Sequence, residues 1–350
     1  MKKIRFGVIG CGNITQQHSA RFEPLKDIMT VTGLADVVIE RARELGDKLP
    51  SAPVCSADYR DILPHVDAVL LSLPHHLHHE IGIACLKAGK HVLMEKPLAN
   101  TPAECLDLIK TAKEVDKVLM VAYCMRFHPM LNRMKELIKQ QYCGKLFQLS
   151  IWTEQHTERD PQDWMCRAST LGGGQLFSHG CHYIDLMLDF IDSKPEYGSH
   201  VGTNRATPWM EREGTSNVSI RFADGTLGYH FGTWGARGTR LGYSFHAHCD
   251  GGMLEANLRD GKLYCHRNTI IGDSTTKREP ELLMTNELVK NTEAETRHFI
   301  ECIVNGTQSI TDPVTSLEGL EVIWKLYEAE DKHQLADLRG LGFGSHTELR

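Results

Sequence analysis

The sequence contains no run of about 18 apolar residues, so a membrane-spanning helix is not expected. Paired cysteines are missing as well. The eleven cysteines are scattered and odd in number, none sits in a C-x-x-C pair, and Cys166 and Cys181 lack zinc-finger spacing. That pattern argues against a disulfide framework and a structural zinc site, and for reduced thiols in a cytoplasm. Positive charge is not in excess: 39 Lys and Arg stand against 45 Asp and Glu, giving a net charge of −6 with His neutral. With no helix-turn-helix signal either, the chain carries no global footprint for nucleic acid. The N-terminal stretch offers no secretory core. Its apolar run is cut by Gly7, Gly10 and Gly12, and it reads as a first strand. Internal repeats, low-complexity tracts and H-E-x-x-H metal motifs are also missing.

What is present is enough apolar material for a substantial core. Hydrophobic residues make up 41% and charged residues 24% of 350, the size of one large or two ordinary domains. Up to about residue 123, short apolar runs at 5–10, 31–36, 68–73, 91–94 and 118–123 alternate with helical spacing from about 14 and at 39–48, 78–88 and 104–115. Continuous apolar strands alternating with helices predict a parallel sheet covered on both faces. The pattern then changes. After a helix at 129–140, strands are expected at 145–153, 218–222, 226–233, 243–249, 253–257 and 262–266. They are joined by turn signals such as Asp224-Gly225, Asp250-Gly251-Gly252 and Asp260-Gly261. Close spacing and such turns predict an antiparallel sheet of hairpins. Further helices are expected at 175–190, 293–305 and 314–329.

The first chemical signal is Gly10-Cys11-Gly12-Asn13-Ile14, between a predicted strand and a predicted helix. Gly10 and Gly12 allow a tight turn and close approach to a pyrophosphate, which the N–H groups of the following helix would face. The third fingerprint position, normally Gly or Ala, is Thr15. Asp36 ends the second predicted strand. A carboxylate there accepts from both ribose hydroxyls and repels a 2′-phosphate, and Val37 and Val38 follow it instead of a basic residue. NAD is therefore expected over NADP. The bland alternative is a strand-end Asp that caps the next helix.

The second signal is Glu95-Lys96-Pro97, which closes the strand at 91–94. In an open α/β sheet ligands gather beyond the carboxyl ends of strands, and a lysine there can stabilise the alkoxide formed as hydride leaves carbon. Later, Gly172-Gly173-Gly174 lead into a predicted helix carrying Ser178, His182 and Asp185 at i, i+4 and i+7, hence on one face. Histidine is a natural proton acceptor for alcohol oxidation near pH 7.

Together with SLPHHLHHE at 72–80 and AYCMRFHP at 122–129, these segments resemble the glucose–fructose oxidoreductase/inositol dehydrogenase (Gfo/Idh/MocA) family. The resemblance implies an α/β protein with an N-terminal Rossmann NAD-binding domain at 1–123. A C-terminal α/β domain at 124–350 would carry a large open, mainly antiparallel sheet, for substrate binding and oligomer contacts. It implies nicotinamide-dependent oxidation of a sugar, glycoside or polyol, with Lys96 as catalytic lysine and His182 as acid/base. Asp185 resembles the acidic residue that contacts substrate or orients the site. Arg126 matches the family's R-F segment, and Trp164 and Arg167 resemble a W…R element facing the cofactor. Ser72, Pro74, His75 and His78 match the loop beside the nicotinamide ribose. The cofactor-binding set is thus Gly10, Gly12, Asn13, Ile14, Asp36, Ser72, Pro74, His75, His78, Glu95, Lys96, Arg126, Trp164 and Arg167. The substrate-binding set is Lys96, Arg126, Trp164, Ser178, His179 and Asp185. One departure stands out: many sugar dehydrogenases of the family carry Asp four residues before the catalytic His, where this chain has Ser178. A hydroxyl does not tune His182 as a carboxylate does. His179, about 100° round the helix from Ser178, is an alternative substrate contact.

Nothing in this pattern calls for a metal. His75 and His79 share a predicted helix face but lack a third ligand, and cofactor-loop and surface roles are expected instead. The polar segment at 154–160, with Trp152 and Trp164, reads equally as a carbohydrate wall or a solvated loop. The leading expectation is a sugar dehydrogenase, with oxidation at a pyranose 3-hydroxyl implied by branches of the family. The alternative is an NAD-dependent glycosidase of the same superfamily, using transient oxidation and elimination. A non-enzymatic NAD-responsive regulator is the third reading, disfavoured by the presence of both Lys96 and His182. A sheet with one uncovered face predicts at least a dimer.

Overall fold

A computed structural model describes residues 3–267 and 279–350. The chain groups into two compact units. The first is Met1–Cys124 with Asn291–Leu317 and Leu349–Arg350, and the second is Met125–Lys290 with Glu318–Glu348.

The first unit runs β1 (Ile4–Ile9), α1 (Asn13–Ser19), β2 (Met29–Ala35), α2 (Ile39–Gly46), β3 (Val54–Ser56), α3 (Tyr59–Ile62), β4 (Ala68–Leu71), α4 (His78–Lys87), β5 (His91–Glu95), α5 (Pro102–Glu114) and β6 (Leu119–Ala122). Its strands form a parallel sheet in the order β3-β2-β1-β4-β5-β6. All four residues of β4 are fully buried, as a strand covered on both faces requires. Order reverses between β1 and β4, and at such a switch point a crevice opens beyond the strand ends. Helix α5 starts with a capping box between Thr101 and Glu104 and has Pro102 in its first turn.

The second unit begins with α6 (Pro129–Lys139), β7 (Leu146–Glu154), α7 (Ala168–Leu171) and α8 (Cys181–Phe190). It continues through β8 (Pro195–Thr203), β9 (Thr215–Phe222), β10 (Leu227–Thr233), β11 (Tyr243–Cys249), β12 (Gly252–Asn257), β13 (Lys262–His266) and β14 (Glu281–Thr285). Helix α9 (Thr292–Asn305) returns to the first unit, where Phe299 meets Phe6 edge-on at 6.5 Å. Helix α10 (Pro313–Asp331) and β15 (Ala336–Asp337) follow. The second sheet runs β14-β13-β12-β11-β7-β10-β9-β8-β15 and is antiparallel except for the parallel β7–β10 pair. In β9, Val218, Ile220 and Phe222 are buried while Asn217, Ser219 and Arg221 are exposed. One face therefore packs on the core and the other stays open.

Four strands have no counterpart in the sequence reading: β3, β8, β14 and β15. In β8 the pattern is blurred by Gly198 and Gly202. A Cβ at Gly198 would lie 2.9 Å from both Leu326 and Leu338, so close packing asks for glycine where strand propensity does not. The helix expected at 175–190 is also modified. Leu176–Gly180 forms a π-helical segment before α8 begins.

Candidate functional site

In the first unit the glycine turn and the end of β2 are tied together. Gly10 has φ of +90°, and a Cβ there would fall 2.1 Å from the Ser72 carbonyl oxygen, so only glycine fits between the ends of β1 and β4. The Asp36 carboxylate accepts from the Cys11 N–H at 2.8 Å and the Val38 N–H at 2.9 Å. Asp36 thus locks the turn and holds the backbone at Val38, ahead of α2, which has no side-chain cap. The Arg41 guanidinium lies 3.8 Å from it, a basic neighbour beyond Val37 and Val38 in sequence. Thr15 is buried and donates its hydroxyl to the Gly10 carbonyl at 2.5 Å. The departure from the glycine fingerprint is therefore accommodated by a bond that closes the same turn. Burial, with Asp36 beside it, pushes the Cys11 thiol up to about 12.

Lys96 follows β5 and is half-buried, and the Lys96–Pro97 peptide is cis. The preceding Glu95 is buried, lies 2.8 Å from His18 Nε2, and accepts from the Lys96 N–H at 3.2 Å. His78 bridges two carbonyls, Pro97 O at 2.8 Å from Nδ1 and Leu73 O at 3.0 Å from Nε2. It thereby links the loop after β4 to the loop after β5. Burial pushes the imidazole pKa down while both carbonyls oppose that, and a neutral ring donates to only one of them. The His75 ring sits 5.5 Å from that of His78. Ser72, Pro74, His75, His78, Glu95 and Lys96 are thus gathered at the carboxyl ends of β4 and β5. The His18–Glu95 pair was not anticipated, since its partners are 77 residues apart.

In the second unit His182 and Asp185 lie on α8, both almost fully buried. Asp185 faces Arg126 Nη1 at 3.5 Å. The same nitrogen meets Asp189 at 3.0 Å, and Asp189 meets Lys135 at 2.6 Å. Arg126 also lies over the Phe343 ring, 5.5 Å from its centroid. Burial pushes the Asp185 carboxyl up to about 7, with Arg126 opposing that rise. This raised carboxyl lies one helical turn from His182.

Ser178 and His179 fall in the π-helical segment and are buried. The wider turn changes the expected geometry, because the 100° spacing assumed for His179 belongs to a regular helix. Its ring lies 6.2 Å from that of His182 and edge-on to Tyr183 and Tyr243. Gln175 Nε2 is 3.4 Å from His179 Nδ1, and Ser216 donates to Gln175 Oε1. His230 lies on the core-facing side of β10 and is wholly buried. It stacks on Tyr183 at 5.2 Å, with its pKa pushed down to about 3 by burial. Trp164 packs on a small cluster of Leu171, Met210 and Trp234. Arg167 bonds Gln162 at 2.6 Å.

Two family models match this chain: an oxidoreductase family with an NAD-binding Rossmann fold over residues 4–123, and a Gfo/Idh/MocA C-terminal domain over 131–255. Myo-inositol 2-dehydrogenase of Thermotoga maritima is 30% identical over 230 residues, 64% of this chain and 67% of that protein. The chain belongs to the Gfo/Idh/MocA oxidoreductase family. Levoglucosan dehydrogenase of Pseudarthrobacter phenanthrenivorans is 26% identical to this family member over 294 residues, 73% of this chain and 74% of that protein. A solved structure of levoglucosan dehydrogenase in complex with NADH has a TM-score of 0.84 at 22% identity, covering 96% of this chain and 99% of that one. The fold of this Gfo/Idh/MocA protein is therefore that of its relatives.

The first unit also passes a test of fit for the family's dinucleotide. A Cβ at Gly12 would meet no protein atom within 4 Å, so the turn is open where a pyrophosphate would approach. Ser72 Oγ is buried with no hydrogen-bond partner among the described residues. No helix among the described residues is long and apolar enough to cross a membrane.

Proposed function

We propose that this family member is an NAD-dependent dehydrogenase that moves hydride between the nicotinamide and a secondary hydroxyl of a sugar, glycoside or polyol. The observation that carries the reading is the helix α8 arrangement. His182 is shielded from bulk water, with the Asp185–Arg126–Asp189–Lys135 charge ladder beginning one turn away.

His182 takes the proton of the substrate hydroxyl as its carbon is oxidised. Lys96 stabilises the oxyanion that develops at that oxygen. Bound NAD⁺ would supply the hydride acceptor for that carbon. Asp185 and Arg126 orient substrate and hold the electrostatics around His182, while Ser178, His179 and Trp164 complete the sugar contacts. Gly10, Gly12, Asn13, Ile14, Asp36, Ser72, Pro74, His75, His78, Glu95, Lys96, Arg126, Trp164 and Arg167 are the residues assigned to the cofactor. Preference for NAD follows from Asp36, whose carboxylate repels a 2′-phosphate. Arg41 is turned to that carboxylate, which offsets its charge. The names of the relatives, one acting on myo-inositol and one on levoglucosan, support a cyclic polyol or sugar substrate.

The test supplies pure protein with NAD⁺ or NADP⁺ and a panel of myo-inositol, levoglucosan, free aldoses and p-nitrophenyl glycosides, read at 340 and 405 nm. Reduction of NAD⁺ in preference to NADP⁺ is expected, with NMR locating the new ketone, at C3 for a pyranose. Nitrophenol release without net NADH would replace this reading with the redox-assisted glycosidase.

A further inference from the structure

The segment leading into α8 begins with the triple glycine, continues through the π-helical turn, and ends at His182. The first N–H groups of any helix have no partner inside it and must be satisfied from elsewhere. Here two residues, Glu213 and Tyr327, bond four consecutive N–H groups. The Tyr327 hydroxyl accepts from the Gly174 N–H at 3.1 Å and the Phe177 N–H at 3.2 Å. Glu213 accepts from the Leu176 N–H at 3.0 Å through its carboxylate and from the Gln175 N–H at 2.8 Å through its backbone carbonyl. The two are joined, since the Tyr327 hydroxyl donates to the same Glu213 Oε1 at 2.7 Å. The first intrahelical bond follows at once, from the Ser178 N–H to the Gly174 carbonyl at 3.0 Å.

Everything around this junction is close-packed. A Cβ at Gly174 would fall 2.2 Å from Glu213 Oε2, and one at Gly202 would fall 2.7 Å from Glu213 Cβ. The Tyr327 ring is held edge-on by His200 at 5.1 Å and covered by the Arg212 guanidinium at 5.1 Å. Both residues are deeply buried. Burial pushes the Glu213 carboxyl and the Tyr327 hydroxyl pKa values up, and the phenol stays protonated to serve as donor.

We infer that Glu213 and Tyr327 form a clamp that sets the rotation and height of the helix bearing His182. They are positioning residues for the proton-transfer group. The inference rests on the proposed role of His182. Four consecutive N–H groups are bound to one carboxylate oxygen, one hydroxyl and one carbonyl, so the helix cannot turn about its axis or slide without breaking several bonds at once. A displacement of about 1 Å at a reacting group costs on the order of a hundredfold in rate. Neither residue lies in the motifs that mark the family, and neither needs to touch substrate.

The experiment compares Tyr327→Phe, Glu213→Ala, Glu213→Gln and His182→Gln on the panel substrate that the parent oxidises fastest. It records kcat, KM, melting temperature and the NADH dissociation constant by fluorescence. Tyr327→Phe and Glu213→Ala are expected to lose about a hundredfold in kcat while binding NADH as the parent does. Glu213→Gln is expected to restore turnover, because a single oxygen, Oε1, receives both the Leu176 and Tyr327 bonds. If an alanine or phenylalanine variant does not fold, Glu213→Asp takes its place; being one methylene shorter, it should fold and still lower kcat. Parent-like kcat in folded Tyr327→Phe or Glu213→Asp, with His182→Gln inactive, overturns the clamp. Glu213→Gln as impaired as Glu213→Ala also overturns it. An active His182→Gln overturns instead the role given to His182.

Discussion

Replacing Asp185 by Asn tests the electrostatics of the candidate site. The carboxyl is almost fully buried, and burial raises its pKa from the ordinary 3.8 to about 7 despite Arg126 at 3.5 Å. At about 1.36 kcal/mol per pKa unit, ionising this group inside the fold costs about 4 kcal/mol. Because the folded value lies above the unfolded one, the neutral acid contributes its full stability below about pH 4. That contribution is lost as pH rises to about 7, and the curve is flat beyond. The asparagine amide that replaces the carboxyl cannot ionise. The variant should therefore match or trail the parent near pH 4 and gain on it steadily up to about pH 7, by an amount on the order of 4 kcal/mol. Urea unfolding at half-unit pH steps from 4 to 8, followed by fluorescence, measures the difference. Arg126→Met removes the cation that holds the carboxyl down, so its flat region should begin at higher pH. Parallel pH–stability curves for the parent and Asp185→Asn would refute the reasoning.

Other consequences are as direct. Gly10→Ala places a methyl 2.1 Å from the Ser72 carbonyl at φ of +90°, so melting temperature should fall and NADH binding should be lost in calorimetry. Asp36→Ser removes the acceptor for the Cys11 N–H and the charge that repels a 2′-phosphate. NADH should bind on the order of tenfold more weakly, and the NADH-to-NADPH preference should shrink, both by fluorescence titration. Cys143, only 2.9 Å from Cys265 Sγ, has its thiol pushed up to about 12, chiefly by burial. Mass spectrometry after iodoacetamide at pH 8 should find it unlabelled until the protein is unfolded.

The first unit was largely legible because its physics is local. Strands such as β4, Ala-Val-Leu-Leu, are apolar on both faces, and the glycine turn and Asp36 lie at spacings fixed by the strand–helix–strand unit. The return of α9 to that unit was not legible, since an amphipathic pattern says that a face is buried but not against which sheet. In the second sheet, β9–β13 announce themselves by turns, whereas β8 opens with proline and carries glycines that answer to neighbours distant in sequence. Residue types singled out Lys96, His182 and Asp185 as candidates, but the surroundings of each were hidden. The π-helical turn, the His18–Glu95 pair and the Glu213–Tyr327 clamp all depend on partners 77 or more residues apart or on backbone geometry that no spacing rule encodes. Thr15 shows the converse. It breaks a fingerprint on paper, yet its hydroxyl closes the turn the fingerprint describes.

The central claim is hydride transfer that depends on Lys96 and His182. Its most direct test is the initial rate of NADH formation at 340 nm by the parent, Lys96→Ala and His182→Gln at saturating NAD⁺ with the preferred sugar or polyol. Each variant should lose on the order of a hundredfold or more in kcat, and His182→Gln should do so with NADH binding retained. Near-parental kcat in either variant, or a parent that reduces NAD⁺ with no member of the panel, would contradict the account.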